Sequence, residues 1–334
     1  MADTFVERGI RCLLFDLGDT LWYRESQETW DRLERASNQR ASDLLRQQVG
    51  PALLPNLDDP ALGQALRQAF DAQVRTMIRK EPLLEPDTSH AVACVLQEWG
   101  LSGIDSSLCT ALFEALRVRI PHSRPLFADT LATLAQIRQR GYLLGIVTNR
   151  LWGGTPFYED LRSLGLLEYV DLAHIAISGD LGLRKPHPHI FEYVLHALGA
   201  SAGEAAMIGD SLSADILGAG PLGIYTIWKP KPWLSQWAKE HATSLPELPA
   251  SAPVPLTGGA FPGADSADMQ IAQPLDAPGP LPAGMYMTDD DYILARAYAG
   301  RDYLEQFYHG EIRPDRIITQ LAELLEIFPG VAQP

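Results

Sequence analysis

Leu13-Leu14-Phe15-Asp16-Leu17-Gly18-Asp19-Thr20-Leu21 is an apolar run that ends abruptly in two carboxylates around a glycine, followed by a hydroxyl. An aspartate at the exit of a buried strand stands where open α/β sheets bind ligands. That placement suits a nucleophile beside a divalent metal, although Gly18 stands where a second catalytic aspartate would be expected. Three further spots share the setting. Thr148-Asn149 follows an apolar run, Lys185 lies in Gly182-Leu-Arg-Lys-Pro186 ahead of an expected helix, and Asp210 follows Ile208-Gly209, with Asp215 five residues on. Strand ends in a parallel sheet converge on one edge, so groups far apart in sequence can meet there.

The chemistry that uses such a set is phosphoryl transfer through an aspartyl intermediate. A carboxylate attacks phosphorus, and splitting hydrolysis into two steps lowers each barrier. Attack by an anion on an anion needs local positive charge. Asp16, Asp210 and one backbone carbonyl are hard oxygen ligands that suit Mg²⁺. Lys185 supplies a point charge, and the Thr148 hydroxyl a hydrogen bond, for the transferring oxygens. Taken singly, each spot has a plainer reading. An aspartate after a strand is commonly a turn or helix cap, a lysine a solvated charge, and Asp210-Ser211 a helix N-cap. His187 and His189 lack Cys or Glu at ligand spacing and read as surface or helix-start residues. It is the four spots together, in this order, that carry the reading.

The elements follow from periodicity. Residues 11–15 read as a short buried strand. From about 24 to 120 the pattern is helical: Trp30, Leu33, Ser37, Ala41, Leu44 and Leu45 recur at helical steps until Pro51 and Pro55. Further helices are expected over Ala61 to Arg79, 88–99 and 106–119. Strands are then expected at Tyr142–Val147, 172–177, Ala205–Ile208 and Ile224–Trp228, alternating with helices at 128–139, 156–164, 188–198 and 212–219. This alternation implies a parallel sheet covered on both faces, with the helical block inserted between its first two strands. From Lys229 to about Gly284 the texture changes, and eleven of the chain's 25 prolines fall there. That stretch reads as a partly disordered insert, with Trp233, Leu234 and Trp237 able to pack locally. Thr288-Asp-Asp-Asp then caps a helix to about Tyr308. Arg316–Thr319 and Gln320–Leu325 read as a last strand and helix.

At 334 residues the chain can hold two domains. Its formal charge of −15 argues against a nucleic-acid partner, which needs a basic face. No run is long enough for a membrane span. Asp3 and Glu7, with no apolar core around them, do not read as a signal peptide. Cys12, Cys94 and Cys109 show no metal-ligand spacing and read as reduced thiols, which points to the cytoplasm.

Phe15-Asp16-Leu-Gly-Asp-Thr-Leu21 resembles the first motif of the haloacid dehalogenase superfamily. Ile146-Val-Thr148-Asn149 resembles its second motif, Arg184-Lys185-Pro186 its third, and Ile208-Gly-Asp210-Ser-Leu-Ser-Ala-Asp215 its fourth. The resemblance implies an α/β class, a Rossmann-like three-layer core with a parallel sheet, and an inserted all-helical cap domain. It divides the chain into a core (1–22, 122–228 and 312–330), a cap (23–121), a Pro-rich insert (229–287) and an additional helix (288–309). It implies Asp16 as nucleophile and Thr148, Asn149 and Lys185 as phosphoryl-binding groups, with Lys185 also orienting Asp16. Mg²⁺ would be held by Asp16, Asp210 and the Gly18 backbone carbonyl, with Asp215 in support. In family phosphatases the residue at position 18 also supplies a general acid and base, which is worth about 10²–10⁴-fold in rate. Gly18 keeps the carbonyl and loses that side chain.

Three readings follow. One is an Mg²⁺-dependent phosphatase of a small phosphorylated metabolite. Its missing acid is then tolerated for a good leaving group, or replaced by Asp19, by a cap residue or by water. Another is a non-hydrolytic member that binds a phosphoryl ligand or a partner. The third is a metal-independent 2-haloacid dehalogenase, against which the retained Asp210 and Asp215 speak. Trp22 and Tyr23 are candidates for a hinge or pocket mouth. Arg24 is either a surface residue or one that reaches an anionic substrate.

Overall fold

A computed structural model describes residues 9–50, 54–55, 57–101, 103–232, 234–235, 238, 303–308, 310 and 312–330. Most of the Pro-rich stretch, Trp233 and Trp237 included, lies outside the described residues. So do residues 288–302 and 309 of the helix expected over 288–309, and Met1 to Glu7.

Six strands form one sheet: β1 (Cys12–Phe15), β2 (Leu143–Thr148), β3 (Ile175–Ile177), β4 (Ala205–Gly209), β5 (Tyr225–Trp228) and β6 (Arg316–Ile317). Their order is β3-β2-β1-β4-β5-β6, and every pair is parallel. β1 is central, with Phe15 level with Ile146 on one side and Ile208 on the other. The chain builds outward from β1 in one direction, then returns to build in the other. That reversal opens a crevice at the carboxyl ends of β1 and its neighbours.

Between β1 and β2 the chain forms α1 (Gln27–Val49), α2 (Asp59–Lys80), α3 (Thr88–Glu98) and α4 (Ser106–Ala115). Ser26, Asp58 and Asp87 cap the first three, each accepting from a backbone N–H of the first turn. The block has its own core, with Leu45, Leu66, Phe70, Val92, Leu96 and Leu112 at its centre. At Gly63 a methyl group would collide with the Asn38 backbone carbonyl, so α1 and α2 touch there through backbone. Arg67 is buried beside them and donates to Asn38 Oδ1 (2.6 Å) and Ser37 Oγ (2.6 Å).

After the block come α5 (Thr130–Gln139), α6 (Gly154–Ser163) and α7 (Pro188–Ala197), and much later α8 (Tyr303–Tyr308). Alternate strand residues face opposite layers. Leu13, Phe15, Ile146 and Ile208 pack with Leu134 and Ile137 of α5 and Phe157 and Leu161 of α6. Cys12, Leu14, Val147 and Met207 pack with Ile190, Phe191 and Val194 of α7. The core is therefore a Rossmann-like α/β arrangement of helix, sheet and helix layers. Among the described residues, no helix is long and apolar enough to cross a membrane.

Several element ends differ from expectation, for local reasons. The helix expected over 106–119 stops at Ala115: Trp152 Nε1 donates to Phe113 O (3.2 Å), the carbonyl the next turn would use, and Arg117 N–H goes to Glu114 O (3.0 Å) instead. The strand expected from 172 begins at Ile175, since Leu172–His174 is a tight helical turn. The last strand is shorter than expected, at Arg316–Ile317. Thr319 N–H turns away from it to the Glu323 carboxylate.

Among the attachments that seat the block on the core, two lie at the site. Tyr23 N–H donates to Pro125 O (3.0 Å) and Glu25 N–H to Ser123 O (3.1 Å), while Trp22 bridges Leu126 in antiparallel fashion. The second attachment joins the α2–α3 connection to the loop that carries Lys185. Leu84 bridges Leu183, Arg184 N–H donates to Leu83 O (2.9 Å), and Glu85 N–H donates to Gly182 O (3.0 Å). The Arg184 Nη1 donates to both Glu85 carboxylate oxygens, at 3.0 and 2.9 Å, with both side chains buried. Removing one partner of such a pair leaves the other charge uncompensated. Glu85→Ala is expected to cost about 3–5 kcal/mol in urea unfolding, and a loss below about 1 kcal/mol would contradict the buried pairing. Gly63→Ala is expected to cost about 1–3 kcal/mol by overpacking, read in the same assay.

Candidate active site

The strand ends deliver the groups. Asp16 N–H donates to Ile208 O (2.9 Å), so the sheet ladder runs right up to this residue. Thr148 is the last residue of β2 and is buried, and Asp210 directly follows β4. Lys185 arrives from a loop. Asn149 fixes that loop through both ends of its amide, accepting from Lys185 N–H (2.7 Å) and donating to Lys185 O (3.0 Å). The Asn149 side chain thus positions Lys185, with one amide N–H left over. The Lys185–Pro186 peptide is cis.

Lys185 Nζ donates to Asp16 Oδ1 (2.6 Å), Asp215 Oδ1 (2.6 Å) and Val147 O (2.8 Å). These use all three donors of an ammonium group. Burial pulls the Lys185 pKa down, but the carboxylates of Asp16 and Asp215 outweigh it and hold the amine charged, above the usual lysine value. Asp215 is completely buried, and its Oδ2 accepts from Ser211 N–H (3.0 Å). Burial drives its carboxyl up; Lys185 pulls it back down, and Asp16 adds to the rise.

Carboxylate oxygens of Asp16, Asp210 and Asp215 lie within 4.8 Å of one another. Both oxygens of Asp215 are committed, to Lys185 and to Ser211. In this group Asp16 and Asp210 are therefore the candidate ligands, and Asp215 braces them through Lys185. Two carboxylates with room for carbonyl and water oxygens match what Mg²⁺ takes.

At Gly18 an added Cβ would meet only Asp16 Oδ2, at 3.9 Å, which is ordinary contact. The left-handed conformation of this turn falls instead on Asp19 (φ 52), a residue type that tolerates it. The backbone therefore does not require glycine at position 18. Burial pushes the Asp19 carboxyl up, against the pull of Lys231 and Arg124.

Two site residues escaped the sequence reading. Lys229 Nζ donates to Asp19 O (2.9 Å) and sits 3.8 Å from the Phe127 ring centroid. Lys231 Nζ lies 3.7 Å from Asp19 Oδ2 and 3.7 Å from Asp210 Oδ2. Both are buried, although the sequence reading put them at the start of the insert. Burial lowers the Lys229 pKa. The signal that would have found them is the one used for the other groups: Lys229 directly follows β5 and Lys231 comes two residues later. The two histidines behave as expected, with His187 capping α7 by accepting from His189 N–H (3.2 Å).

Comparison with known proteins agrees with this architecture. The family model of the haloacid dehalogenase-like hydrolases matches residues 10–223. A phosphoserine phosphatase from Thermus thermophilus is 38% identical over 106 residues, 31% of this chain and 40% of that protein. A glyceraldehyde 3-phosphate phosphatase from Methanopyrus kandleri is 26% identical over 218 residues, 65% of this chain and 83% of that protein. Among solved structures, a HAD phosphatase from Thermococcus onnurineus is 26% identical, with a TM-score of 0.42, covering 66% of this chain and 86% of that one. The chain spans about two-fifths of the length of several curated relatives it matches. With a family match across most of the described core, and four motifs meeting at one sheet edge, the chain belongs to the haloacid dehalogenase-like hydrolases.

Proposed function

We propose that this chain is an Mg²⁺-dependent phosphatase of a small phosphorylated metabolite, with Asp16 as nucleophile. The observation that carries the reading is the contact of Lys185 with Asp16 and Asp215 beside Asp210. With Lys185 on Oδ1, Asp16 keeps Oδ2 to attack phosphorus. The new O–P bond replaces the ester P–O bond, and water then cleaves the aspartyl phosphate to release phosphate and restore Asp16. Lys185 and Thr148 stabilise the transferring oxygens. Asp16, Asp210 and the Gly18 carbonyl would hold Mg²⁺, which supplies positive charge at the phosphoryl group when bound. Position 18 offers the leaving group no proton. Its departure then relies on low basicity, or on a proton from Asp19, from the helical block or from water.

The relatives named above are phosphatases of small phosphorylated compounds, which supports this substrate class. We assign residues 1–22, 122–228 and 312–330 to the catalytic body and 23–121 to a cap that covers the site and excludes water. The net charge of −15 supports the absence of a nucleic-acid partner. All three cysteines are unpaired, which supports a reducing, cytoplasmic setting.

The expected result is Mg²⁺-dependent phosphate release from a metabolite panel, abolished by EDTA and lost to background in Asp16→Asn. Chloride release from 2-haloacids in EDTA would favour a dehalogenase. Absence of turnover with every phosphorylated compound would favour a non-hydrolytic phosphoryl binder, the reading that Gly18 supports. Gly18→Asp, which the backbone accommodates, is expected to raise kcat by about 10²-fold or more. An unchanged kcat would mean that another acid already serves the leaving group.

A further inference from the structure

Three arginines near the site stand apart from the others. Elsewhere the fold satisfies its buried arginines: Arg67 with Asn38 and Ser37, Arg184 with Glu85, and Arg117 with Glu114 and Gly153 O. Exposed Arg24 and half-buried Arg124 and Arg150 have no carboxylate within 4.0 Å among the described residues, and Arg124 Nη1 donates only weakly, to Ser123 O (3.4 Å). Arg24 and Arg124 lie opposite each other on the two linker strands, since Tyr23 pairs with Pro125 and Glu25 with Ser123. Opposed residues share a face, and like charges there repel. Both guanidinium groups rest on one indole, 4.4 and 4.7 Å from the Trp30 ring centroid.

Arg150 directly follows Asn149, the residue that clamps the Lys185 loop. Its guanidinium lies 4.9 Å from the Phe157 ring centroid, and its Nε is buried without a hydrogen-bond partner. The acid that Arg150 senses, Asp160, already accepts from Arg119 Nε (2.6 Å) and Ile120 N–H (3.0 Å). Arg124 senses Arg24 on one side and Asp19 on the other, while Arg150 senses Arg124. The linker strand that carries Arg124 reaches the turn after Asp16, because the Phe127 ring centroid lies 3.8 Å from the Lys229 Nζ that donates to Asp19 O, and Arg150 directly follows the Asn149 that holds Lys185. Burial lowers the Arg124 pKa to about 10 and the Arg150 pKa to about 9, and in each case a neighbouring arginine adds to the fall. An anion placed among them would relieve both effects and fill the open donors. A guanidinium suits this because its planar fork matches carboxylate and phosphate oxygens.

We propose that Arg124 and Arg150, with Arg24 at the rim, form a second anion subsite that takes a carboxylate or second phosphate on the leaving-group side of the substrate. The substrate class narrows to doubly anionic phosphomonoesters. This rests on the phosphatase reading above, and its test separates the two.

Three esters on one two-carbon scaffold serve as probes: ethylene glycol phosphate, 2-phosphoglycolate and ethylene glycol bisphosphate. The native protein is expected to favour at least one dianionic-plus-anionic ester over ethylene glycol phosphate by tenfold or more in kcat/KM. The two anionic arms tell carboxylate from phosphate. Arg124→Gln and Arg150→Gln are expected to reduce that ratio to within about threefold, through KM, and Arg150→Lys to keep part of it. A ratio near one in the native protein, or a ratio the glutamine variants preserve, overturns the subsite. If none of the three esters turns over, the metabolite panel still decides the phosphatase reading, and thermal melting decides the subsite. The favoured anionic ester must then raise the native Tm more than ethylene glycol phosphate does, and Arg150→Gln must abolish the difference; equal shifts overturn it. Arg24→Gln, at the exposed rim over Trp30, is expected to lower the ratio less than Arg150→Gln does, and a larger loss there would overturn the central place given to Arg150.

Discussion

One buried ammonium group ties the site together. Lys185 Nζ joins Asp16 at the end of β1, Val147 O near the end of β2, and Asp215 after β4. Without its charge, the buried carboxylates of Asp16 and Asp215 would face each other uncompensated at the sheet edge. With it, Asp16 stays oriented through Oδ1. The lysine is itself held from behind: Asn149 grips its backbone, and neighbouring Arg184 is paired with Glu85 of the helical block. The attachment of the block and the orientation of Asp16 thus depend on adjacent residues of one loop. A shift in the block's seating would reach Asp16 through two residues.

The first motif divides its backbone and side-chain duties unusually. A glycine is normally placed where a turn needs the left-handed region. Here Asp19 takes that conformation, while Gly18 has ordinary backbone and open space. No steric reason in the fold excludes a side chain at position 18. Its absence is a chemical feature of this chain, and it moves the carboxylate one position along, where Lys231 lies 3.7 Å away.

Much of this was legible in the sequence because it depends on short-range patterns. Continuous apolar runs marked β1, β2 and β4, and the residues just beyond them marked Asp16, Thr148 and Asp210. Helical spacing marked α1 and α2 to within two residues or so of their ends. What escaped depends on long-range partners. Ala115 ends α4 where Trp152, 39 positions beyond Phe113, donates to the Phe113 carbonyl that the next turn would use. Glu85 and Arg184 are 99 positions apart, and neither has a local pattern that names its partner. Lys229 and Lys231 were hidden by composition. Their prolines belong to a stretch that reads as low complexity, yet the residues are anchored where β5 ends.

The distribution of charge explains how an acidic chain can present a site for anions. The net charge of −15 gives the molecule a field that repels phosphate esters at long range. That field is screened within about 8 Å at physiological salt. Inside the crevice cations stand directly against the carboxylates: Lys185 on Asp16 and Asp215, Lys229 on the Asp19 carbonyl, and Lys231 3.7 Å from both Asp19 and Asp210. These cations stand in low-dielectric surroundings, where charge acts far more strongly than at a solvated surface. Affinity for an anion then comes from short-range contact inside the crevice rather than from attraction at a distance. Such a site suits a ligand small enough to enter whole. It disfavours a polyanion, most of whose charge would remain outside against the acidic surface.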